Sequence, residues 1–123
     1  MSASAIFIGV IGISLGFAPA EILEALGQEA NALSVLILQL TGALYFGFSM
    51  LNWMAKTILI GGIYARPVSI GNFCHFGIAG LTLIKSLVAS DNSSFYLILL
   101  AGIYTLFAIC FGYVFLTSPT KKA

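Results

Sequence analysis

The chain has 123 residues, with five Lys+Arg against four Asp+Glu, and 60% of its residues are hydrophobic. Only 7% of the residues are charged, against about 25% in a typical soluble domain, and the mean hydropathy is +1.09. This composition excludes a soluble globular protein and a disordered tail, and it offers no basic patch for binding nucleic acid. The length allows about one domain. We therefore predict a small membrane protein.

Between the charged residues lie four uncharged runs that can cross a membrane, which takes about 17–25 apolar residues. Their residues do not alternate between apolar and polar, so they fit helices rather than the strands of a membrane barrel. We predict an all-α fold, a four-transmembrane-helix bundle that forms a single integral membrane domain over residues 1–123. The helices are predicted near 4–19, 32–54, 68–88 and 95–116.

The connections between the predicted spans carry their own signals. Pro19 suits the first turn of a short helix, which Gly27 would stop. The apolar residues of this segment fall on one side, so we expect it to lie in the membrane interface. Asn31 is the expected N-cap of the second span. Residues 56–66 are too short to span and are predicted to rest at the membrane surface.

The distribution of charge predicts an orientation. Four spans place both termini and the 56–66 loop on one side, together with four of the five basic residues. The opposite side carries the four acidic residues and Lys85, whose charged end is expected to reach the interface. Because basic residues stay in the cytoplasm, we predict a multi-pass protein of the inner (cytoplasmic) membrane with both termini cytoplasmic. Cleavage of the first span as a signal peptide is the alternative, although no basic residue precedes it.

Small residues recur at helical spacing on the predicted spans. Gly9, Gly12 and Gly16 share one face of the first helix, and Gly77 and Gly80 lie on the third. Lipid is as apolar as leucine, so helices in a membrane associate through close packing of such residues. These faces therefore predict helix contacts, either within one chain or between copies in a homo-oligomer.

Polar residues also recur at helical spacing. Asn72 and His75 share a face of the third predicted helix, and Tyr45, Asn52 and Lys56 form a similar stripe on the second. Polar groups within a membrane usually face the interior of a bundle or a wet cavity. A short loop joins the inner ends of these two helices, so their polar residues are expected to lie close together.

We predict that this cluster forms a ligand-binding pocket on the cytoplasmic side. Its candidate residues are Asn52, Arg66, Asn72, His75, Tyr45 and Lys56. The two basic residues suit an anionic head group, and His75 suits a hydrogen bond to a carbonyl or hydroxyl. The expected partner is a membrane lipid, a quinone or another amphiphile whose tail lies between helices. In the alternative, Asn72 and His75 only bond across helices, and the basic residues only anchor the topology.

Several function classes lack their essential residues. No Asp or Glu lies within a predicted span, which argues against a proton-coupled carrier such as a small multidrug exporter. One histidine and two separated cysteines cannot make a standard zinc or haem site, and no nucleophile elbow or phosphate loop is present. We expect no catalytic residues, no metal and no cofactor. Cys74 and Cys110 are interpreted as small buried side chains with free thiols.

One part of the chain resembles a known group. Residues 40–53, LTGALYFGFSMLNW, are followed by GGIYARP at 61–67 and GNFCHF at 71–76. These runs are similar to small four-helix bacterial proteins with the layout of the DoxX-like group, which have a glycine-bearing second helix and an Arg-Pro entry to the third. The resemblance implies a four-helix membrane architecture and a bacterial source, and a few members are associated with quinone or redox complexes. It implies no catalytic residue.

Three hypotheses for the function follow. The leading one is a non-catalytic accessory or lipophile-binding membrane protein that uses the predicted pocket, alone or within a larger membrane complex. The second is a small oligomeric transporter or channel, with a hydrated path past Gln39, Tyr45 and His75. The third, a membrane enzyme acting on a lipid or quinone, would depend on His75, but a lone histidine without a carboxylate is a poor catalyst.

Overall fold

A computed structural model describes residues 1–57, 65–91 and 94–117, and within these ranges every regular element is a helix. The five helices are α1 (Ser2–Phe17), α2 (Pro19–Ala25), α3 (Ala32–Ala55), α4 (Ala65–Ala89) and α5 (Phe95–Thr117). The predicted all-α class is confirmed. The predicted surface loop falls mainly on residues 58–64, and Lys121 and Lys122 belong to the last six residues. These segments lie outside the described residues.

Three of the helices are long and apolar enough to cross a membrane. They are Ala32–Ala55, Arg66–Ala89 and Phe95–Thr117. The pair α1 and α2 passes the same test only when taken together, and its two helices are bent by 98° at their junction. The described residues therefore contain three candidate spans, or four if the bent pair is one span. Large apolar side chains are exposed along these helices, as in a protein whose surface faces lipid.

Local sequence signals set the ends of α2 and the start of α3. Pro19 occupies the first turn of α2. Gly27 has a φ of 70°, a conformation that glycine adopts without steric cost. Its N–H bonds to the Glu24 carbonyl, and the Gln28 N–H bonds to the Leu23 carbonyl, which together close the helix in a Schellman motif. The predicted stop at Gly27 is confirmed.

The predicted N-cap of α3 is also confirmed. The Asn31 side-chain oxygen accepts a hydrogen bond from the Ser34 backbone N–H at 2.8 Å and another from the Ser34 hydroxyl at 3.0 Å. The first bond satisfies one of the N–H groups that a helix leaves without a partner in its first turn. Asn31 therefore determines where α3 begins.

The chain divides into two compact units, Met1–Thr57 and Ile58–Ala123. In the first unit α1 packs antiparallel against α3 with almost no space between their backbones. A Cβ atom added to Gly12 would lie 2.7 Å from the Phe46 nitrogen, and one added to Gly42 would lie 2.7 Å from the Gly12 carbonyl oxygen. Glycine on both helices is what permits this approach, as is usual for helices that associate in a membrane.

In the second unit α4 packs antiparallel against α5 around Phe76, which is fully buried. Its ring lies 5.2 Å from that of Tyr104, 4.9 Å from that of Phe107 and 5.8 Å from that of Phe111, all measured between ring centroids. Aromatic pairs at such separations are worth about 0.5–1.5 kcal/mol each beyond their burial. This aromatic cluster joins the two helices.

Candidate functional site

Three of the predicted site residues belong to the first unit. Asn52 is fully buried, and its side-chain nitrogen donates a hydrogen bond to the Ser4 hydroxyl of α1 at 3.3 Å. Tyr45 is half-buried on α3, and its Cβ borders the space beside Gly12. Lys56 is exposed at the end of α3, with its ammonium group 3.0 Å from the centroid of the Trp53 ring. Asn52 thus joins α3 to α1, while Lys56 makes a cation–π contact on its own helix.

Ser49 adds a second polar contact between the same two helices. Its hydroxyl donates a hydrogen bond to the Ala5 carbonyl oxygen at 2.6 Å. Ser4, which accepts from Asn52, itself donates to the Met1 carbonyl at 2.8 Å. Hydrogen bonds between helices in a membrane contribute about 0.6–2 kcal/mol each. The polar residues of α3 near Asn52 therefore stabilise the packing of α1 on α3.

The other three predicted residues belong to the second unit. Arg66 is exposed in the first turn of α4. Asn72 is fully buried, and its side-chain nitrogen donates to the Val68 carbonyl one turn earlier at 2.8 Å. His75 is half-buried, with its ring centroid 5.0 Å from that of Phe76 and 5.8 Å from that of Tyr104. Asn72 and His75 do share one face of α4, whereas the prediction that all six residues line one pocket stays a prediction.

Within the second unit, α4 and α5 form a groove of about 500 Å³ that the sequence pattern does not predict. From α4 it is lined by Phe73, Phe76, Gly77, Gly80, Leu81 and Ile84. From α5 it is lined by Thr105, Ala108, Ile109, Gly112, Tyr113 and Leu116. We call this the α4–α5 groove. None of its lining residues is acidic or basic.

Glycines form part of the wall of the α4–α5 groove. A Cβ added to Gly77 would meet nothing within 4 Å, so the space beside this residue is open. A Cβ added to Gly80 would lie 3.7 Å from Thr105, within ordinary van der Waals contact. The helical spacing of both glycines predicts that they contact another helix. Gly80 does face α5 closely, whereas Gly77 leaves room at the groove.

The groove and most of the polar stripe lie on nearly opposite sides of α4. Successive helical residues advance by about 100°, so Phe73, Gly77 and Ile84 share one face. His75 and Thr82 lie on the other side, and Asn72 lies between the two faces, one turn before Phe76. The two faces therefore present different chemistry. One offers apolar contact over a long surface, and the other offers hydrogen-bonding groups.

Both cysteines are exposed, although they were expected to be buried. Cys74 on α4 and Cys110 on α5 are free thiols, and both are exposed rather than buried. The interpretation as buried side chains is wrong, because a small apolar group facing lipid gains little by moving into a membrane protein's interior. Their positions place them outside the aromatic cluster and outside the α4–α5 groove.

Models of protein families, curated proteins and solved structures give no match to this chain. Its chemistry must therefore be inferred from the contacts of α3 and α4 and from the α4–α5 groove. The α4–α5 groove has a shape that can hold an elongated apolar molecule along α4. A charged head group would have to be paired by residues beyond the lining, because none of the lining residues is charged.

Proposed function

We propose that this chain is a non-catalytic, lipophile-binding protein of the inner (cytoplasmic) membrane. The observation that supports it is the α4–α5 groove, with a volume of about 500 Å³. This volume lies within the range of about 300–1,000 Å³ that is common for small-molecule sites. The groove is formed by two helices that are apolar enough to span a membrane, so lipophilic molecules surround it at high concentration.

The proposal includes four spans with both termini in the cytoplasm. α1 would supply the fourth span, and α2 would lie in the membrane interface; together the two helices are long and apolar enough to cross a membrane, and they are bent by 98° at their junction. Lys56 and Arg66 flank the connection between α3 and α4, and basic residues concentrate on the cytoplasmic side.

The lining of the groove favours binding over catalysis. Its polar groups are the hydroxyls of Thr105 and Tyr113, and its remaining residues are aliphatic, aromatic or glycine. The side chains that most often perform general acid–base catalysis are His, Glu and Asp, and none of the lining residues is of these types. A long apolar surface without such a group suits retention of a tail.

The experiment is native mass spectrometry of gently extracted protein, combined with extraction and identification of any retained lipid or quinone. We expect the wild-type chain to retain a lipophile. Gly77→Leu should reduce the retained fraction several-fold, because its Cβ enters open space beside the groove and the rest of the side chain would occupy volume that a lipophile needs. The same spectra report copy number and any companion subunit.

Gly47→Leu is the matched control. An added Cβ at Gly47 also meets nothing within 4 Å, and this residue lies on α3, outside the α4–α5 groove. The control should retain as much lipophile as the wild type. Wild-type protein without a bound lipophile, or equal retention by Gly77→Leu, would contradict the proposal. A multimer without lipophile that conducts solute in liposomes would favour the oligomeric transporter instead.

A third variant separates the groove from the polar pocket predicted by the sequence. Asn72→Leu removes the amide that donates to the Val68 carbonyl and leaves the groove lining intact. If the groove holds the lipophile, this variant should retain it. Loss of the lipophile in Asn72→Leu, with normal retention in Gly77→Leu, would assign binding to the polar face of α4.

A further inference from the structure

Gln39 of α3 lines a second groove, which α1 and α3 form in the first unit. This α1–α3 groove has a volume of about 420 Å³, and of its lining residues only Gln39 has a polar side chain. Gln39 is exposed, and within the described part of the chain its amide forms no hydrogen bond. The amide can therefore bond to a molecule that covers the groove.

The position of Gln39 along α3 sets the depth of its amide in a membrane. The 24 residues of α3 give a length of about 36 Å, so a centred helix projects about 3 Å beyond each side of a hydrocarbon core of about 30 Å. Gln39 follows Ala32 by a helical rise of about 10 Å and thus lies about 7 Å inside the core. Its side chain lacks the long stem with which lysine and arginine reach the interface. An amide at this depth needs a hydrogen-bonding partner, because lipid tails supply none.

The surface around Gln39 allows another helix to approach closely. A Cβ added to Gly9 or Gly12 of α1 would meet α3, whereas one added to Gly16 would meet nothing within 4 Å. Ala43, one helical turn after Gln39, is exposed and small, and it lines the groove together with Gly16. Small residues and amide side chains are the groups that join helices in a membrane. The uncovered part of this face therefore suits contact with a second helix.

We propose that the α1–α3 groove is the interface of a homodimer in which the Gln39 amides of two copies bond to each other. Copies in one membrane share an orientation, so a two-fold axis along the membrane normal brings residues of equal depth together. The two Gln39 side chains then meet at the axis. This interface belongs to the first unit, so the inference goes beyond the lipophile binding proposed for the second.

The chemistry of the amide favours a second copy over a lipid. An amide offers two N–H donors and a carbonyl acceptor, so two glutamine side chains satisfy each other through a reciprocal pair of N–H···O bonds. An acyl chain offers neither group. The ester and phosphate oxygens of a phospholipid accept hydrogen bonds but donate none to the amide oxygen, and they lie at the interface rather than at the depth of Gln39.

The test is sedimentation equilibrium of the full chain in density-matched detergent micelles, which measures the dissociation constant of a dimer. Wild-type protein should dimerise, and Gln39→Leu should weaken dimerisation by about tenfold, or about 1.4 kcal/mol, because both bonds between the copies are lost. Gln39→Asn keeps the amide and should dimerise more tightly than Gln39→Leu. Circular dichroism should show equal helix content in all three proteins, since Gln39 is exposed in the single chain.

Thr41→Val is the matched control. Thr41 is also a polar residue of α3, but its hydroxyl donates to the Ile37 carbonyl of the same helix at 2.8 Å. This variant should dimerise as tightly as the wild type. A monomeric wild type, which would leave the groove to lipid or to another membrane protein, would overturn the inference, and so would an oligomer larger than a dimer. A dimer that Gln39→Leu leaves unchanged, or that Thr41→Val weakens equally, would also overturn it.

Cross-linking in liposomes repeats the test in a bilayer. In a chain that carries Cys74→Ser and Cys110→Ser, Ala43→Cys should be joined to the second copy by a short bifunctional thiol reagent, because Ala43 lines the groove. Thr41→Cys should be joined far less, because two residues along a helix turn the side chain by about 200°. Cross-linking at position 41 that equals or exceeds that at position 43 would place the contact on another face and refute the proposed interface.

Discussion

Replacing Gly12 with alanine tests the close approach of α1 and α3. The added Cβ would lie 2.7 Å from the Phe46 nitrogen and 2.9 Å from the Gly42 carbonyl oxygen. Ordinary van der Waals contact begins at 3.4 Å, so the first distance is too short by about 0.7 Å. Both neighbouring atoms belong to the backbone of α3. The strain therefore cannot be relieved by a side-chain rotation, and the helices must separate.

Two opposing effects set the size of the change in stability. Overpacking of a tight contact costs about 1–3 kcal/mol. Alanine in place of glycine within a helix stabilises by about 0.5–1 kcal/mol, because the unfolded chain has less freedom to lose. Gly16→Ala has the second effect without the first, since a Cβ at Gly16 meets nothing within 4 Å. Gly12→Ala should therefore be less stable than Gly16→Ala by about 1–3 kcal/mol.

The assay is equilibrium unfolding in mixed micelles, by titration with a denaturing detergent. Trp53 is the single tryptophan of the chain and lies on α3, so its fluorescence reports on the first unit. We expect the ratio of folded to unfolded protein to differ between the two alanine variants by roughly 5- to 150-fold at one detergent concentration. Equal midpoints for Gly12→Ala and Gly16→Ala would refute the glycine-mediated contact.

Two further predictions concern stability. Phe76→Ala should lower the free energy of unfolding by about 3–5 kcal/mol, because the ring is fully buried between α4 and α5, and thermal unfolding in detergent measures this. A loss no larger than that of Phe95→Ala, where the ring is 72% exposed, would contradict the assigned core. Asn31→Ala should cost about 0.5–2 kcal/mol through loss of the cap on the Ser34 N–H. Asn31→Asp should keep most of that stability, and failure of this variant to do so would argue against capping.

The helix boundaries could be predicted from the sequence because the residues that set them act locally. Pro19, Gly27 and Asn31 act on the backbone within a few residues of themselves, and the structure confirms the roles of Gly27 and Asn31. The predicted helices near 68–88 and 95–116 are observed as Ala65–Ala89 and Phe95–Thr117. Apolar length and end signals are enough to place such helices, because both are properties of consecutive residues.

The sequence did not show which residues of different helices contact one another. Asn52 was assigned to a stripe shared with Tyr45 and Lys56, and no partner on the first helix was predicted for it. In the structure its side chain donates to Ser4, 48 residues earlier in the chain. Periodicity shows which side of a helix a residue occupies. It does not show which other helix covers that side, so the contact with Ser4 follows from the packing of α1 on α3.

The candidate binding site, the α4–α5 groove, also depends partly on the sequence alone and partly on how the helices pack. Composition and periodicity by themselves determined that this chain is helical and apolar enough for a membrane, because these properties arise from neighbouring residues and their average polarity. Tertiary structure decided that Gly80 contacts α5 while Gly77 leaves open space, although both are glycines on one helix. A cavity is the volume that two surfaces fail to fill, and its existence depends on the shapes of both. That shape is available only after α4 and α5 have packed.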